Sequence, residues 1–567
     1  MLLSNLDLLA TASGGVARLR ELILTLAVQG KLVPQDAADE PASVLLQKIR
    51  AEKDGLIAKG KIKRDKPLAE IAEEEKPFGL PPGWEWARCD DYFIELCTGP
   101  FGSMIHQEDY VRDGIPLINP SHMVGGRIVH DPRVTLKSAD AERLSAYALS
   151  AGDMVLARRG EVGRYAYVTD HEHGWLCGTG SFFVRLYSLC DRNYLGLVFS
   201  DSRFRQHLKG ESVGTTMTNL NQRILLNALL ALPPHAEQAR IVTRVEELMR
   251  LCDALEVKGR LEATQHAQLV RTLLGTLTAS TTPEKLVENW QRVAQHFDLL
   301  LDRPEAIDAL EQTLLQLAVR GLLVPQDPTD EPASTLLARI RTEKDRLIAE
   351  GKIKRDKPLP PIADEEKPFE LPVGWAWVRV GQVASRVQYG VTASADHTQE
   401  TPKFVRITDI QNDQVNWNTV PGMQRVTQDF SDHYLESGDL LIARTGGTIG
   451  KSFLVSSVPV NAVFASYLIR ISPTPSTNPS YLKIFASSDH YWQQLHAKAM
   501  GTGQPNVNGT ALSELTLPLP PLAEQSRIAT RITALRNLCA DLRQRLKAAQ
   551  VTQSHLAQAL VESSNAL

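Results

Sequence analysis

Two similar glycine-rich loops carry the side chains best suited to bind an anion. One loop is GDMVLARRGEVGR, which begins at Gly152, and the other, in the second half of the chain, is GDLLIARTGGTIGK. Arg158 and Arg444 occupy the same place in the two loops. An arginine beside glycines can bring its planar fork close to a phosphate group. The alternative is that each arginine pairs with a nearby carboxylate, such as Asp153 or Asp439 at the loop entrance, and only holds the turn.

Other motifs that could support catalysis or metal binding fail on spacing. TGGTIGKS approaches the phosphate-binding form GxxxxGK[ST], but its first glycine, Gly446, falls one residue too late. His171, His173 and Cys177 lie together in HEHGWLC, yet nothing else in the chain pairs with them at the spacing of a zinc site. We therefore predict no catalytic residue, no metal and no cofactor.

The composition is that of an ordinary globular protein and does not by itself indicate a nucleic-acid binder. The 567 residues are 43% hydrophobic and 23% charged, which is enough for several domains. The formal net charge is -4, whereas proteins that bind nucleic acids usually have a basic excess. Six cysteines are too few for a disulfide framework, and no stretch approaches the ~20 apolar residues of a membrane span. We predict a cytoplasmic protein without membrane contact.

The chain repeats itself in a way that sets its domain organisation. Residues 19–88 recur without a gap as residues 310–379, with VPQD, DEPAS, KIKRDKPL and EEKPF unchanged, and both copies continue into LPxGWxW. A second repeat begins with LPPHAEQARIV at Leu232 and LPPLAEQSRIA at Leu519. The order is frame, variable block, second frame element, and then the same three again. This order implies two equivalent halves.

The second frame element has the period of a helix. A helix from Ala236 to Leu274 would be ~58 Å long at 1.5 Å per residue, which could hold two domains apart. The alternative is an ordinary helix that faces a core. The apolar positions at spacings of three and four are Ile241, Val245, Leu248, Cys252 and Leu255, and in the second copy Ile528, Ile532, Leu535, Cys539 and Leu542.

The variable blocks, residues 89–231 and 380–518, differ in sequence but keep nearly the same spacing between shared signposts. Besides the two glycine-rich loops they share GTTMTNLN and GTGQPNVN. Runs such as MVLA, YAYV and SFFVRLY, separated by Gly, Pro, Asn and Asp, predict strands. Each block is therefore predicted to be a mixed α+β domain, framed by helical regions at residues 1–88, 232–379 and 519–567.

Over nearly its whole length, this arrangement resembles the specificity subunits of type I restriction-modification systems. The resemblance rests on LRELILTLAVQGKLVPQDAADEPA at Leu19 and its copy at Leu310, both LPxGWxW segments, both glycine-rich loops and both LPPxAEQxRI helix starts. It implies an α+β fold in which two mixed α/β target-recognition domains are joined by long antiparallel coiled-coil helices with pseudo-two-fold symmetry. The stretch from Thr278 to Arg303 is extra, which affects the expected spacing between the domains.

The resemblance also implies a function and partners. Each target-recognition domain would read one half of a bipartite, asymmetric target in double-stranded DNA, and the helices would fix the gap between the halves. The chain itself would be non-catalytic. Its partners would be two modification subunits, which methylate adenine, and restriction subunits, which supply an ATP-dependent motor and nuclease.

Candidate DNA contacts fall into two classes, because phosphate contacts position a protein whereas contacts to base edges specify the sequence. An ordinary polar loop is the alternative for each candidate reader. The features kept in both blocks, which should contact phosphate or hold the structure, are Arg158 with Arg444, Arg164 with Lys451, Asn219 with Asn506 and Asn221 with Asn508, with Arg159 beside the first. The candidate readers are Ser103, His106, Gln107, Ser121 and His122 in the first block and Tyr389, Thr392, Asn412 and Gln414 in the second.

Two other classes of protein stay open at this point. One is a self-contained methyltransferase or nuclease with a divergent site. The other is a coiled-coil scaffold that displays two domains with no affinity for nucleic acids. Neither variable block has a basic excess. If the chain binds DNA, its affinity should depend on cations clustered in a cleft and on partner subunits.

Overall fold

The chain forms two compact units, each described here by itself. The computed structural model describes residue 12 and residues 14–63, 68–101, 103–210, 219–280, 282–355, 357–424, 430–499 and 506–566. Unit 1 comprises Met1–Glu262 and Gln550–Leu567, and unit 2 comprises Ala263–Ala549. We call the variable blocks 89–231 and 380–518 domain 1 and domain 2; domain 1 belongs to unit 1 and domain 2 to unit 2.

The helices comprise short segments within each unit and two long ones that pass from one unit into the other. The helices of unit 1 are α1 (Gly15–Val28), α2 (Ala42–Ala58), α3 (Cys89–Tyr92), α4 (Ser138–Arg143), α5 (Arg192–Ser200), α6 (Ser202–Gly210), α7 (Gln222–Asn227) and the start of α8 (His235–Thr278). The helices of unit 2 are α9 (Pro283–Gln295), α10 (Phe297–Leu300), α11 (Pro304–Val319), α12 (Ala333–Ala349), α13 (Val380–Val383), α14 (Pro479–Phe485), α15 (Asp489–Ala499), α16 (Gly509–Ser513) and the start of α17 (Leu522–Ala566).

The long helices α8 and α17 have 44 and 45 residues. At 1.5 Å per residue each is about 66 Å long. The helix predicted from Ala236 to Leu274 is therefore confirmed and is longer than predicted. The extra stretch from Thr278 to Arg303 is mostly helical rather than an open linker, because it contains α9 and α10.

Unit 1 contains a four-stranded antiparallel sheet in the order β2-β10-β7-β8, a three-stranded sheet in the order β6-β3-β9, and two ladders of two strands, β1-β11 and β4-β5. The strands are β1 (Glu85–Arg88), β2 (Phe93–Thr98), β3 (Ile115–Ile118), β4 (Met123–Val124), β5 (Arg127–Ile128), β6 (Thr135–Leu136), β7 (Met154–Ala157), β8 (Tyr165–Tyr167), β9 (Leu176–Cys177), β10 (Ser181–Leu186) and β11 (Leu229–Leu232).

Unit 2 contains the corresponding sheets. Its main sheet has the order β13-β22-β19-β20, and the others are β14-β18-β15-β21, β12-β23 and β16-β17. The strands are β12 (Ala376–Arg379), β13 (Ala384–Tyr389), β14 (Ala395–Asp396), β15 (Lys403–Val405), β16 (Ile410–Gln411), β17 (Gln414–Val415), β18 (Gly422–Met423), β19 (Leu440–Ala443), β20 (Ser452–Leu454), β21 (Ala462–Phe464), β22 (Leu468–Pro473) and β23 (Thr516–Leu519).

The main sheet of each domain is covered on both faces. Successive residues of a strand point to opposite faces. In β7, Met154 and Leu156 join one apolar cluster whereas Val155 and Ala157 join another. All four residues of β19 (Leu440–Ala443) are buried in the same alternating way. This double burial explains why both strands are continuous apolar runs directly after a GD turn.

The repeated frame segments make the same contacts in both units. In unit 1, the indole nitrogen of Trp84 donates to Glu237 at 3.1 Å, and the side-chain amide of Gln35 donates to the other carboxylate oxygen at 3.0 Å. In unit 2, the Trp375 indole and the Gln326 amide donate to Glu524 at 2.9 and 2.8 Å. The LPxGW and AEQ segments, which are present in both copies, therefore join the connector to the start of each long helix.

A glycine that ends the first frame helix is required for this join. Gly30 has φ +69°, in the left-handed region that favours glycine. A β-carbon at Gly30 would lie 2.5 Å from Pro81 and 2.8 Å from Trp84, which is too close for any side chain. Gly321 has φ +72° and the same crowding in unit 2. The prediction of two mixed α+β domains with long helices is confirmed.

Candidate nucleic-acid interface

Arg158 directly follows β7 and is half-buried. Its Nε and Nη2 donate to the side-chain oxygen of Asn219 at 3.3 and 3.2 Å. The guanidinium carbon lies 5.6 Å from the centroid of the Phe182 ring. Burial lowers the pKa of Arg158, and the neighbouring charge of Arg159 adds to this. The cation is thus held by an amide and an aromatic ring.

Arg444 directly follows β19 and is held in the same way. Its Nε donates to the side-chain oxygen of Asn506 at 3.3 Å, and its guanidinium carbon lies 4.9 Å from the centroid of the Tyr389 ring. The Tyr389 hydroxyl in turn accepts the backbone N–H of Gly509 at 2.8 Å. We call Arg158 and Arg444 the paired arginines.

The alternative in which the paired arginines bond to the aspartates of their own loops is wrong. Asp153 accepts from Nε of Arg185 at 3.2 Å. Asp439 accepts from the Ser472 hydroxyl and forms an ion pair with Arg470 at 3.4 Å. Among the described residues, no carboxylate lies within ion-pair distance of either paired arginine. Their positive charges are therefore uncompensated within this part of the chain.

The four shared asparagines have structural roles. Asn219 and Asn506 hold the paired arginines, which lie 61 and 62 residues away along the chain. Asn221 caps the N-terminus of α7, where its side chain accepts the N–H of Ile224 at 2.9 Å. Asn508 caps α16 through the N–H of Ala511 at 2.8 Å. Capping satisfies an N–H group that otherwise has no partner in the helix. The preceding residues of both signposts, 214–218 and 501–505, lie outside the described residues.

The other cations of the two loops differ in exposure and pairing. Arg159 and Lys451 are exposed. Arg164 donates to Glu161 at 2.9 Å and to the carbonyl of Pro120 at 3.3 Å. The charge of Arg164 is therefore already compensated, which distinguishes it from the paired arginines.

Four of the five candidate readers of domain 1 are on the surface; they are Ser103, His106, Gln107 and Ser121. His122 is only 7% exposed, and its Nδ1 accepts the N–H of Asn119 at 3.2 Å. Burial lowers the pKa of His122. This placement does not fit the predicted role of a base reader, because the ring packs inside the domain.

The candidate readers of domain 2 are all at least partly exposed. Tyr389 is 40% exposed and Thr392 is exposed. Asn412 and Gln414 are exposed on the hairpin formed by β16 and β17. The turn residues of this hairpin, Asn412 and Asp413, have φ of 50° and 59°, as two-residue hairpin turns require.

Domain 1 has the same hairpin, formed by β4 and β5. Its turn residues are Gly125 and Gly126, with φ of 57° and 76°. We call Met123–Ile128 the first hairpin and Ile410–Val415 the second hairpin. The sequence signal for both hairpins is a turn pair, Gly-Gly or Asn-Asp, between short polar-apolar segments.

Comparisons with known proteins identify the family. The family described as "Type I restriction modification DNA specificity domain" matches residues 102–265 and 372–552. The specificity subunit of the type I restriction enzyme EcoAI of Escherichia coli is 37% identical, over 97% of this chain and 94% of that protein. The EcoEI specificity subunit of Escherichia coli is 36% identical over the same shares. The chain belongs to the family of type I restriction enzyme specificity subunits.

A solved structure described as the HsdS subunit from Thermoanaerobacter tengcongensis covers 86% of this specificity subunit and 98% of its own chain, with 18% identity and a TM-score of 0.42. The family match falls twice on the chain and includes both paired arginines. The chain is therefore a DNA specificity subunit with two specificity domains, as the sequence predicted.

The sequence analysis did not identify two exposed aromatic side chains, one in domain 1 and one in domain 2. Phe101 is 66% exposed, beside the end of β2. Tyr467 is 63% exposed, and its carbonyl accepts the backbone N–H of Arg444 at 3.0 Å. Aromatic residues so exposed are suited to contact bases or thymine methyl groups. The only sequence signal was an aromatic residue inside a turn-rich segment.

The motifs rejected at the sequence level have structural roles. The TGGTIGKS segment connects β19 and β20, which pair antiparallel, and so forms the turn of a hairpin between strands. His171 contacts Glu172 at 3.3 Å and packs edge-on against Trp175, whereas Cys177 is fully buried. Within the described ranges, no group of three or more His, Cys, Asp or Glu side chains could hold a metal ion. No described helix is long and apolar enough to cross a membrane.

Proposed function

We propose that each specificity domain reads one half of a bipartite, asymmetric target in double-stranded DNA, and that the paired arginines bind a phosphate in each half. The observation that carries this proposal is that, among the described residues, neither arginine has a carboxylate within ion-pair distance. Arg158 is held by an amide and a ring, and Arg444 by an amide, a ring and the carbonyl of Ser466 at 3.5 Å. A half-buried guanidinium held by such neutral groups keeps its charge available for an anion. The nearby polar readers would supply the contacts to base edges.

We further propose that the chain works without a catalytic site of its own and with partner subunits. Two modification subunits would methylate adenine, and restriction subunits would cleave the DNA with ATP. Because the DNA that it would bind lies inside the cell, the protein would act in the cytoplasm. Incubation of the pure chain with DNA and labelled S-adenosylmethionine tests the first point, and transfer of label by the chain alone contradicts it.

The phosphate contacts are tested in the complex assembled with the modification subunits. Affinity for target and random duplexes is measured across a salt series. Arg158→Ala and Arg444→Ala should each weaken binding to all sequences alike, and each should lower the salt slope by about one unit, as expected for roughly one fewer phosphate contact.

Arg133→Ala is the matched control in domain 1. Arg133 is exposed and already pairs with Asp131 at 2.8 Å, so the same loss of charge should leave the slope unchanged. If Arg158→Ala and Arg444→Ala lower thermal stability without changing the slope, the two loops are architectural and the proposed phosphate contacts are wrong.

A further inference from the structure

Lys483 is a nearly buried cation that makes three hydrogen bonds to two residues of domain 2. It lies on α14, and its side chain is 12% exposed. Its Nζ donates to the carboxylate of Asp413 at 2.7 Å, to the carbonyl of Ser452 at 2.6 Å and to the Ser452 hydroxyl at 3.1 Å. Removing a lysine from water is costly unless it is paired, so the contact with Asp413 is central to the stability of this arrangement.

Asp413 is a turn residue at the tip of the second hairpin, where β16 is connected to β17. The hairpin has only two pairs of residues, Ile410 with Val415 and Gln411 with Gln414. A ribbon this short is not stable alone and takes its orientation from whatever it contacts. Ile410 and Val415 pack against the apolar cluster of domain 2, which fixes the base of the hairpin. Lys483 holds the turn.

Domain 1 holds its own hairpin by different chemistry. The residue that corresponds to Lys483, 287 positions earlier, is Gly196. A β-carbon at Gly196 would lie 1.9 Å from the Tyr167 hydroxyl, which already fills that space and donates to the carbonyl of Arg192. The backbone N–H of Tyr167 donates to the carbonyl of Gly126 at 2.9 Å. The first hairpin is therefore held by a backbone bond and aromatic packing, and no ion pair joins it to the described part of the chain.

We propose that Lys483 is a positioning residue for base recognition by domain 2. Its ion pair with Asp413 fixes the second hairpin so that the exposed amides of Asn412 and Gln414 face the DNA. Amide side chains can bond to N6 and N7 of adenine, so we expect this hairpin to recognise A·T pairs. The inference rests on the proposed function, that domain 2 reads one half of the target.

The test uses the full complex in cells and reads the methylated motif in their DNA by sequencing, base pair by base pair. Lys483→Met should reduce discrimination about tenfold at positions in one half of the motif and leave the other half unchanged. Asp413→Asn, on the protein surface, should widen the same positions. The double variant should widen the motif no more than either single variant does, because the two side chains form one interaction. Lys483→Arg, which keeps the charge, should restore most of the discrimination.

Lys498→Met is the matched control in the same domain. Lys498 lies on α15, is 30% exposed and pairs with Glu514 at 3.0 Å. The variant Lys498→Met therefore removes an ion pair of domain 2 that does not involve the hairpin. It should leave the motif unchanged. Loss of methylation without widening, equal widening of both halves, or an unaltered motif in Asp413→Asn overturns the positioning role of Lys483.

A further variant separates this inference from the proposed function. Gln414→Ala removes a reader and leaves the ion pair in place. If Gln414→Ala widens the motif but Lys483→Met does not, only the positioning role is wrong. If Gln414→Ala changes neither half, the second hairpin does not read bases, and the inference fails with the proposed function of that hairpin.

Discussion

The ion pair between Arg379 and Glu366 holds the connector that precedes domain 2, and its strength can be tested. The Arg379 side chain is only 4% exposed. It donates to both oxygens of Glu366 at 2.7 and 2.8 Å and to the carbonyls of Glu514, Pro360 and Pro361 at 2.6, 3.2 and 2.9 Å. The hydrogen bond from Arg379 lowers the pKa of Glu366 to about 2.

The lowered pKa of Glu366 gives the sign and size of a stability effect. Against an unfolded pKa of 4.5, the difference corresponds to about 3.4 kcal/mol before screening. Because the Glu366 side chain is 36% exposed, screening by solvent reduces this contribution to about 1–2 kcal/mol. The folded pKa is below the unfolded one, so the contribution is complete above pH 4.5 and is lost as the pH falls towards 2. At pH ~3 roughly two fifths of it remains.

We expect Glu366→Ala to lower the protection of connector amides against hydrogen exchange. At pH 7 the amides of residues 363–368 should lose protection by about 5- to 30-fold, and at pH 3 by clearly less. Glu365→Ala is the control, because Glu365 is the exposed neighbour and carries the same charge. Equal effects of the two variants at pH 7, or an undiminished effect of Glu366→Ala at pH 3, would refute this reasoning.

Two more predictions concern the specificity domains. Asn508→Ala should lower the free energy of unfolding by about 1 kcal/mol through loss of the cap of α16, whereas Asn508→Asp should retain it; urea unfolding measures both, and equal losses contradict a capping role. Exchange of residues 89–231 for the block of a relative should change one half of the methylated motif and preserve the other. A change in both halves would show that the domains do not read independently.

The sequence by itself determined the repeated architecture. The gapless repeat of residues 19–88, the LPxGW segments and the AEQ helix starts depend on local features and on comparison of the chain with itself. The long helices followed from their apolar period, because that period is a local property of a helix. The strands after the GD turns were predicted from short apolar runs, which are also a local property of the chain. The family match then fell on the same two regions.

Only the tertiary structure decided which polar residues act together. Asn219 reaches Arg158 across 61 residues, and Lys483 reaches Asp413 across 70. His122, polar in sequence, proved to be buried. Side-chain partners depend on how strands and helices pack. A β-carbon at Gly196 would meet the Tyr167 hydroxyl, whereas Lys483, at the corresponding position of domain 2, reaches Ser452 and Asp413. A sequence pattern records residue types and spacing along the chain, whereas these contacts depend on distances in the folded domain.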